Sequence, residues 1–312
     1  MSGFFSDMLL SLQQVVILYV MVAVGFAADK LGFYTEKTAR KTNDLIFYVV
    51  TPCVIVNAFI TTPFSAETGK AFLTAALVSA GSHLCGILLS LPFFNKDKEN
   101  GPIYKFSVVY ANCGYMAIPL AQAVLGEEGV FYASAGVVVF NVLCFSHGIG
   151  LMSRGKSGGK RDYKKLLLNP GLIAVAIGLP IFLTGVRLPQ MITEPVRYLS
   201  LLNTPMAMVI LGTYIANTGF RDIFLSKERY LASGLRLIAV PLIMFGVMKL
   251  AGLSGAIFTA CMISAAAPSA TNTVMMTVKY DRDAGVASKQ IAFCTMLCVL
   301  TMPVMIALSK AV

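Results

Sequence analysis

The chain has 312 residues, of which 57% are hydrophobic and only 13% charged, with a mean hydropathy of +0.76; a soluble domain carries about a quarter charged residues. The net charge of +10 does not mark a nucleic-acid binder, because the Lys and Arg residues sit in short loops between apolar runs. Those runs are roughly 17–25 residues long, the length that crosses a bilayer as a helix, so the expectation is an all-α polytopic protein of the cell membrane with no nucleic-acid partner.

The first stretch, MSGFFSDMLLSLQQ, has no basic segment before its apolar run and no small-x-small cleavage pattern. It is expected to stay as a first span rather than leave as a signal peptide. Apolar runs set against charge and turn clusters then predict ten transmembrane helices, near 11–28, 43–61, 70–93, 103–122, 128–152, 169–187, 191–217, 230–250, 253–277 and 285–309. The loops after odd-numbered spans hold 19 Lys and Arg, the even loops and termini hold 5, and Arg236 lies within span 8. By the positive-inside rule both termini face outside and the basic linker SRGKSGGKRDYKK (153–165) is cytoplasmic.

Cutting at that linker leaves two halves of five spans, 1–152 and 169–312 around a linker at 153–168, and an odd count inserts the second half upside down. Thr51-Pro52 of span 2 matches Thr204-Pro205 of span 7, and Leu143-Cys144 of span 5 matches Leu297-Cys298 of span 10, at offsets of 153 and 154. Inverted repeats of this kind place a substrate near the midplane at the repeat interface. Spans 4 and 9 correspond under the same offset and both are interrupted, by NCGYMAIP (112–119) and SAAAPSATNT (264–273). Irregular backbone inside a membrane is tolerated only within protein or beside a wet cavity, so the two are expected as unwound, crossing helices, with Gly114 and Pro119 releasing backbone groups.

The segments ANCGYMAIPLA and AAAPSATNT, the NPGLIAVAIGLP opening of span 6 and the central basic linker together resemble the auxin efflux carrier family, over nearly the whole chain. The resemblance implies two inverted five-span repeats, a scaffold of spans 1, 2, 6 and 7, and a transport domain of spans 3–5 and 8–10. It also implies an elevator-type displacement, a fold similar to bile-acid and sodium/proton carriers, and a homodimer through the scaffold. Carried over by position, Asn112 and Pro119 match the family's span 4 break, and Pro268 its span 9 proline. The short linker fits compact prokaryotic carriers of small carboxylates better than plant auxin exporters.

Freed N–H groups at half-helix N-termini favour an anion. The expected substrate-binding residues are Asn112, Cys113, Gly114, Tyr115, Met116, Pro119, Pro268, Ser269, Thr271 and Asn272, with the two asparagines on a carboxylate and Tyr115 and Met116 on its apolar side. No Asp or Glu falls mid-span, which disfavours cation exchange. His83, halfway along span 3, is the candidate for proton coupling; Arg236 is expected to snorkel to the cytoplasmic face. The seven cysteines form no C-x-x-C pair, so neither metal nor cofactor is expected. No GxxxxGK[ST] loop is present. Adjacent Ser146 and His147 point about 100° apart on a helix, so the chain is not read as an enzyme. The expected function is secondary active or facilitative transport of a small organic anion, a carboxylate or indole acid, with a proton or sodium ion as coupling partner. The alternatives are a cation/proton antiporter, or a channel or sensor on the same fold.

Overall fold

A chain this apolar has to satisfy its backbone internally, and a helix does so within one segment. The computed structural model describes residues 2–154, 170–217 and 223–312; the linker beyond Arg154, and Arg221, lie outside the described residues. The elements are α1 (Ser2–Lys30), α2 (Glu36–Thr61), α3 (Ala66–Ser90), α4 (Gly101–Val109), α5 (Cys113–Met152), α6 (Pro170–Thr184), α7 (Gln190–Ala216), α8 (Lys227–Leu250), α9 (Gly255–Ala266), α10 (Asn272–Lys279) and α11 (Ala284–Lys310). Six of them (α2, α3, α5, α7, α8 and α11) are long and apolar enough to cross a membrane, and α6 and α9 are shorter apolar helices.

Helix α3 shows how such a sequence faces lipid. Its start is fixed by a reciprocal cap, the Thr68 N–H donating to Ser65 Oγ at 3.0 Å and the Ser65 N–H to Thr68 Oγ1 at 2.9 Å. Leu73, Leu77, Leu84 and Leu88 then point outward, while Ser79, Ser82, His83, Gly86 and Ser90 are buried. That is the reverse of a soluble helix. Lipid solvates leucine well, so the inner face is instead made of small and polar residues that allow close packing and hydrogen bonding.

Three of the prolines in these helices follow wide turns rather than breaks, while Pro180, Pro195 and Pro303 sit in helix without one. π-helical turns at Ile46–Val50, Cys113–Ala117 and Leu235–Ala239 end two residues before Pro52, Pro119 and Pro241. Proline lacks an N–H and its ring crowds the carbonyl four residues back; widening the turn just upstream opens room for the ring. Helix α5 is 40 residues long, about 60 Å at 1.5 Å per residue and twice a bilayer core. Gly126, at φ 66° and ψ −150°, folds it into two arms. The second arm returns past the start of the first: the hydroxyl of Tyr110, which ends α4 just before α5, donates to Leu143 O of the second arm at 2.8 Å.

Helix α1 runs along the second part of α7 in backbone contact. A Cβ on Gly25 would fall 2.0 Å from Val209 O, and one on Gly212 would fall 1.9 Å from Val22 O, so each glycine admits the other helix. Thr213 Oγ1 donates to Gly25 O at 3.3 Å and Lys30 Nζ to Ala216 O at 2.8 Å. Helix α2 packs on α6 and α7. The rings of Phe59, Phe72, Phe131 and Phe182 cluster with centroids 5.0–6.0 Å apart and tie α2 and α6 to α3 and α5. Helices α3, α5, α8, α9 and α11 pack around the two broken segments.

Candidate functional site

Helix α4 stops at Val109 and α9 at Ala266, and both chains run extended before the next helix starts. Ala267, at ψ 144°, takes the conformation that a following proline demands. The two extended pieces satisfy each other. The Asn112 N–H donates to Pro268 O at 2.7 Å, and the Ala270 N–H to Tyr110 O at 2.9 Å, making an antiparallel bridge between Ala111 and Ser269. Helix α5 then opens under a side-chain cap, with Tyr115 N–H donating to Asn112 Oδ1 at 3.3 Å. Gly114 and Pro119 therefore do not make the break: Gly114 lies in the first wide turn of α5 and Pro119 in the helix after it. The irregular backbone is that of 110–112, upstream of both, and it is paired largely across the bridge.

The carbonyl ends of the two broken helices are held by one side chain. Arg236, 1% exposed, donates from Nε to Ala267 O at 3.0 Å, from Nη1 to Val108 O at 3.2 Å, and from Nη2 to Ala265 O. The expected snorkelling to the surface does not occur, because these carbonyls have no other donor available at that depth. A helix C-terminus carries about half a negative charge, so two of them together match one guanidinium. The opposite polarity, at the N-terminal ends of α5 and α10, meets no charged side chain among the residues of the cleft beside it.

Those ends border a cleft of about 490 Å³, open mouth included. Its walls are Asn112, Cys113, Gly114 and Tyr115 from α5 and Asn272 from α10, with Ala111 and Ala270 from the bridge. Opposite stand Phe47 and Thr51 of α2, Gly171 of α6, and Val137, Phe140 and Asn141 of the second arm of α5. None of these is acidic. The cleft thus offers three side-chain amides, Asn112, Asn141 and Asn272, and two helix N-termini beside an aromatic wall, a setting suited to a small anion with an apolar body.

The sequence-predicted residues divide. Asn112, Cys113, Gly114, Tyr115 and Asn272 line the cleft, whereas Met116, Pro119, Pro268, Ser269 and Thr271 do not. Pro268 works through its carbonyl in the bridge, and Ser269 Oγ donates to Ser107 O at 2.9 Å, away from the opening. Asn141 and Thr51 were missed. Asn141 carries the same signal as Asn112, a carboxamide within an apolar run; in the fold its Nδ2 donates to Val137 O at 2.9 Å. Thr51 donates to Asn203 Oδ1 at 3.4 Å, joining α2 to α7 beside the cleft.

His83, 3% exposed, lies behind the bridge. Its Nδ1–H donates to Ser79 O at 2.8 Å, which leaves Nε2 as the acceptor, and Nε2 has no hydrogen-bond partner. His147 does not share that setting: its Nδ1 meets the Tyr110 hydroxyl at 2.9 Å.

Long apolar helices around a polar, acid-free cleft built from broken helices define a multi-pass membrane transport protein. A family model described as membrane transport protein matches the chain twice, over residues 10–162 and 158–306. The chain belongs to that family, the auxin efflux carriers, and the two matches correspond to two repeats. It is 26% identical over 303 residues to an uncharacterized transporter of Methanothermobacter thermautotrophicus, covering 94% of this chain and 96% of the relative. It is 24% identical over 285 residues to an uncharacterized transporter of Methanocaldococcus jannaschii, covering 86% and 89%.

Proposed function

We propose that the protein is a secondary active or facilitative carrier of a small organic anion, bound at the α4/α5–α9/α10 breaks. The observation that carries the reading is the asymmetry of charge there. Arg236 neutralises both carbonyl ends, while both N–H ends face the cleft beside Asn112 and Asn272. A carboxylate would accept from the two side-chain amides at the helix N-termini, and Phe47, Tyr115 and Phe140 would take its apolar part. In this reading the chain crosses the membrane ten times as two inverted repeats with crossing broken spans, both termini are outside, and the 153–168 linker is cytoplasmic. Helices α1, α2, α6 and α7 form a scaffold through which two copies pair, and α3–α5 with α8–α11 slide against it as an elevator. The close α1–α7 seam supports a rigid scaffold. His83 is the group that takes up a coupling proton.

The test is counterflow of radiolabelled mono- and dicarboxylates and indole acids in proteoliposomes, with and without a pH gradient. Exchange of at least one of them, weakened by Asn112→Ala and Asn272→Ala, is the expected result. Sodium–proton exchange with no organic substrate would indicate an antiporter, and conductance without exchange would indicate a channel; either outcome overturns the reading.

A further inference from the structure

Behind the bridge, separated from the cleft by the backbone of 111–113, lies a second, smaller cavity. Ala111 and Cys113 line both. Its other walls include Ser79, Ser82 and His83 of α3, Gly136 of α5, Arg236 of α8 and Ser264 of α9. Its size suits a single ion or water rather than an organic molecule. Two hydroxyls converge over the bare face of Gly136: a Cβ there would lie 3.6 Å from Ser79 Oγ and 3.9 Å from Ser264 Oγ.

The charges facing this space select its occupant. Arg236 is the permanent cation, and no carboxylate is among the lining residues, so a metal cation has no anionic ligand. The other ionisable groups around the His83 ring are Tyr110 at the foot of α4, and Cys113, Tyr132 and His147 of α5. Cys261 of α9 completes the far wall, and Cys85 stands near Arg236 on the same helix as His83. The guanidinium charge is already balanced by the two helix C-termini. With His83 neutral, the unpartnered Nε2 asks for a donor, and a water supplies one. A proton on Nε2 turns it into a donor and adds a charge that nothing on the walls offsets.

We propose that this cavity is a halide site, filled by a chloride-class anion together with a proton on His83. The anion accepts from Nε2–H and from the hydroxyls of Ser79, Ser82 and Ser264; the proton comes from bulk solvent, and the pair enters and leaves electroneutral. Linkage requires each to raise the other's affinity by the same factor. The inference uses the proton-accepting role of His83 given above, but does not depend on what the cleft carries.

The experiment measures radiolabelled chloride binding to the purified full-length protein by equilibrium dialysis at pH 5.5 and pH 8, sodium sulfate replacing chloride and no organic anion present. Saturable binding at pH 5.5, displaced by bromide and at least ten-fold weaker at pH 8, is expected. Gly136→Ala places a methyl in the cavity at ordinary contact distances, so it keeps the wild-type unfolding midpoint in chloride-free sulfate and loses chloride binding. His83→Gln binds equally at the two pH values. Absence of saturable binding, or wild-type binding by a folded Gly136→Ala, overturns the site; equal wild-type binding at both pH values overturns the proton linkage. Failure of organic-anion counterflow with chloride binding intact would sink only the cleft assignment, and the converse only this one.

Discussion

Replacing Arg236 with methionine keeps most of the side-chain length and removes the charge and every donor. Three carbonyls, those of Val108, Ala265 and Ala267, then lose the partner that Arg236 gives them. A buried polar group left unsatisfied costs about 1–3 kcal/mol, so the gross loss is about 3–9 kcal/mol. Part is recovered because no guanidinium has to be desolvated, so the lower part of that range, about 3–5 kcal/mol, is expected. At about 2–4 °C per kcal/mol for chains of 150–250 residues, and less for a longer one, the midpoint should fall by about 5 °C or more. Heating detergent-purified protein and following the surviving monodisperse fraction by size-exclusion chromatography reads this directly. Arg236→Lys should fall between, since an ammonium keeps the charge but lacks the planar fork that spans two helices. An Arg236→Met protein that melts with the wild type would refute the account of how the breaks are held together.

Asn112→Asp separates the cap from the substrate: its carboxylate still accepts from Tyr115 N–H and suits a helix N-terminus, so the melting midpoint should hold. A negative charge in the cleft should repel an organic anion and lower its affinity at least ten-fold, checked by equilibrium binding. Gly126→Ala should cost about 1–3 kcal/mol in the same melt, because the backbone there lies where only glycine is comfortable; nothing crowds the new Cβ, so an unchanged midpoint would show that the bend is not fixed at φ 66°. In the exposed loop before α4, Asp97 accepts from the N–H groups of Asn100 and Glu99 at 2.9 and 3.0 Å and from the Asn100 side chain at 3.0 Å. These bonds, Asn100 foremost, hold its carboxyl below the ordinary range. Their contribution is full above the unfolded value near 3.9 and is lost as pH falls through the lowered native one. Hydrogen-exchange protection at Asn100, corrected for intrinsic rate, should therefore be flat from pH 7 to about pH 5 and drop below about pH 4.

The interrupted segments were legible because lipid makes polar residues conspicuous. Asn112, Pro268 and Asn272 stood out against apolar neighbours, and each lies at a break or beside the cleft. The location of the first break was not legible from proline alone. A wide turn can accommodate Pro119 without loss of the helix, and whether one forms depends on packing that a single sequence does not display. Arg236 was misjudged for a related reason. Its depth along span 8 permits snorkelling, and its three acceptors lie 128, 31 and 29 residues away in the chain. Only the fold brings α4 and α9 to it. Asn141 could have been found by the rule that found Asn112, while Phe47, Phe140 and Gly171 look like ordinary apolar packing until the cleft is seen.

The seam between α1 and α7 bears on how the protein is made. Gly25 and Thr213, joined across it, are 188 residues apart, so α1 is synthesised long before its partner exists. At a synthesis rate of about 5–20 residues per second, that interval is about 10–40 s. Throughout it the bare backbone around Gly25 is without Val209, its neighbour in the folded protein. Changes at Gly25 should therefore reveal themselves late, as loss of the assembled fold after both halves have been made.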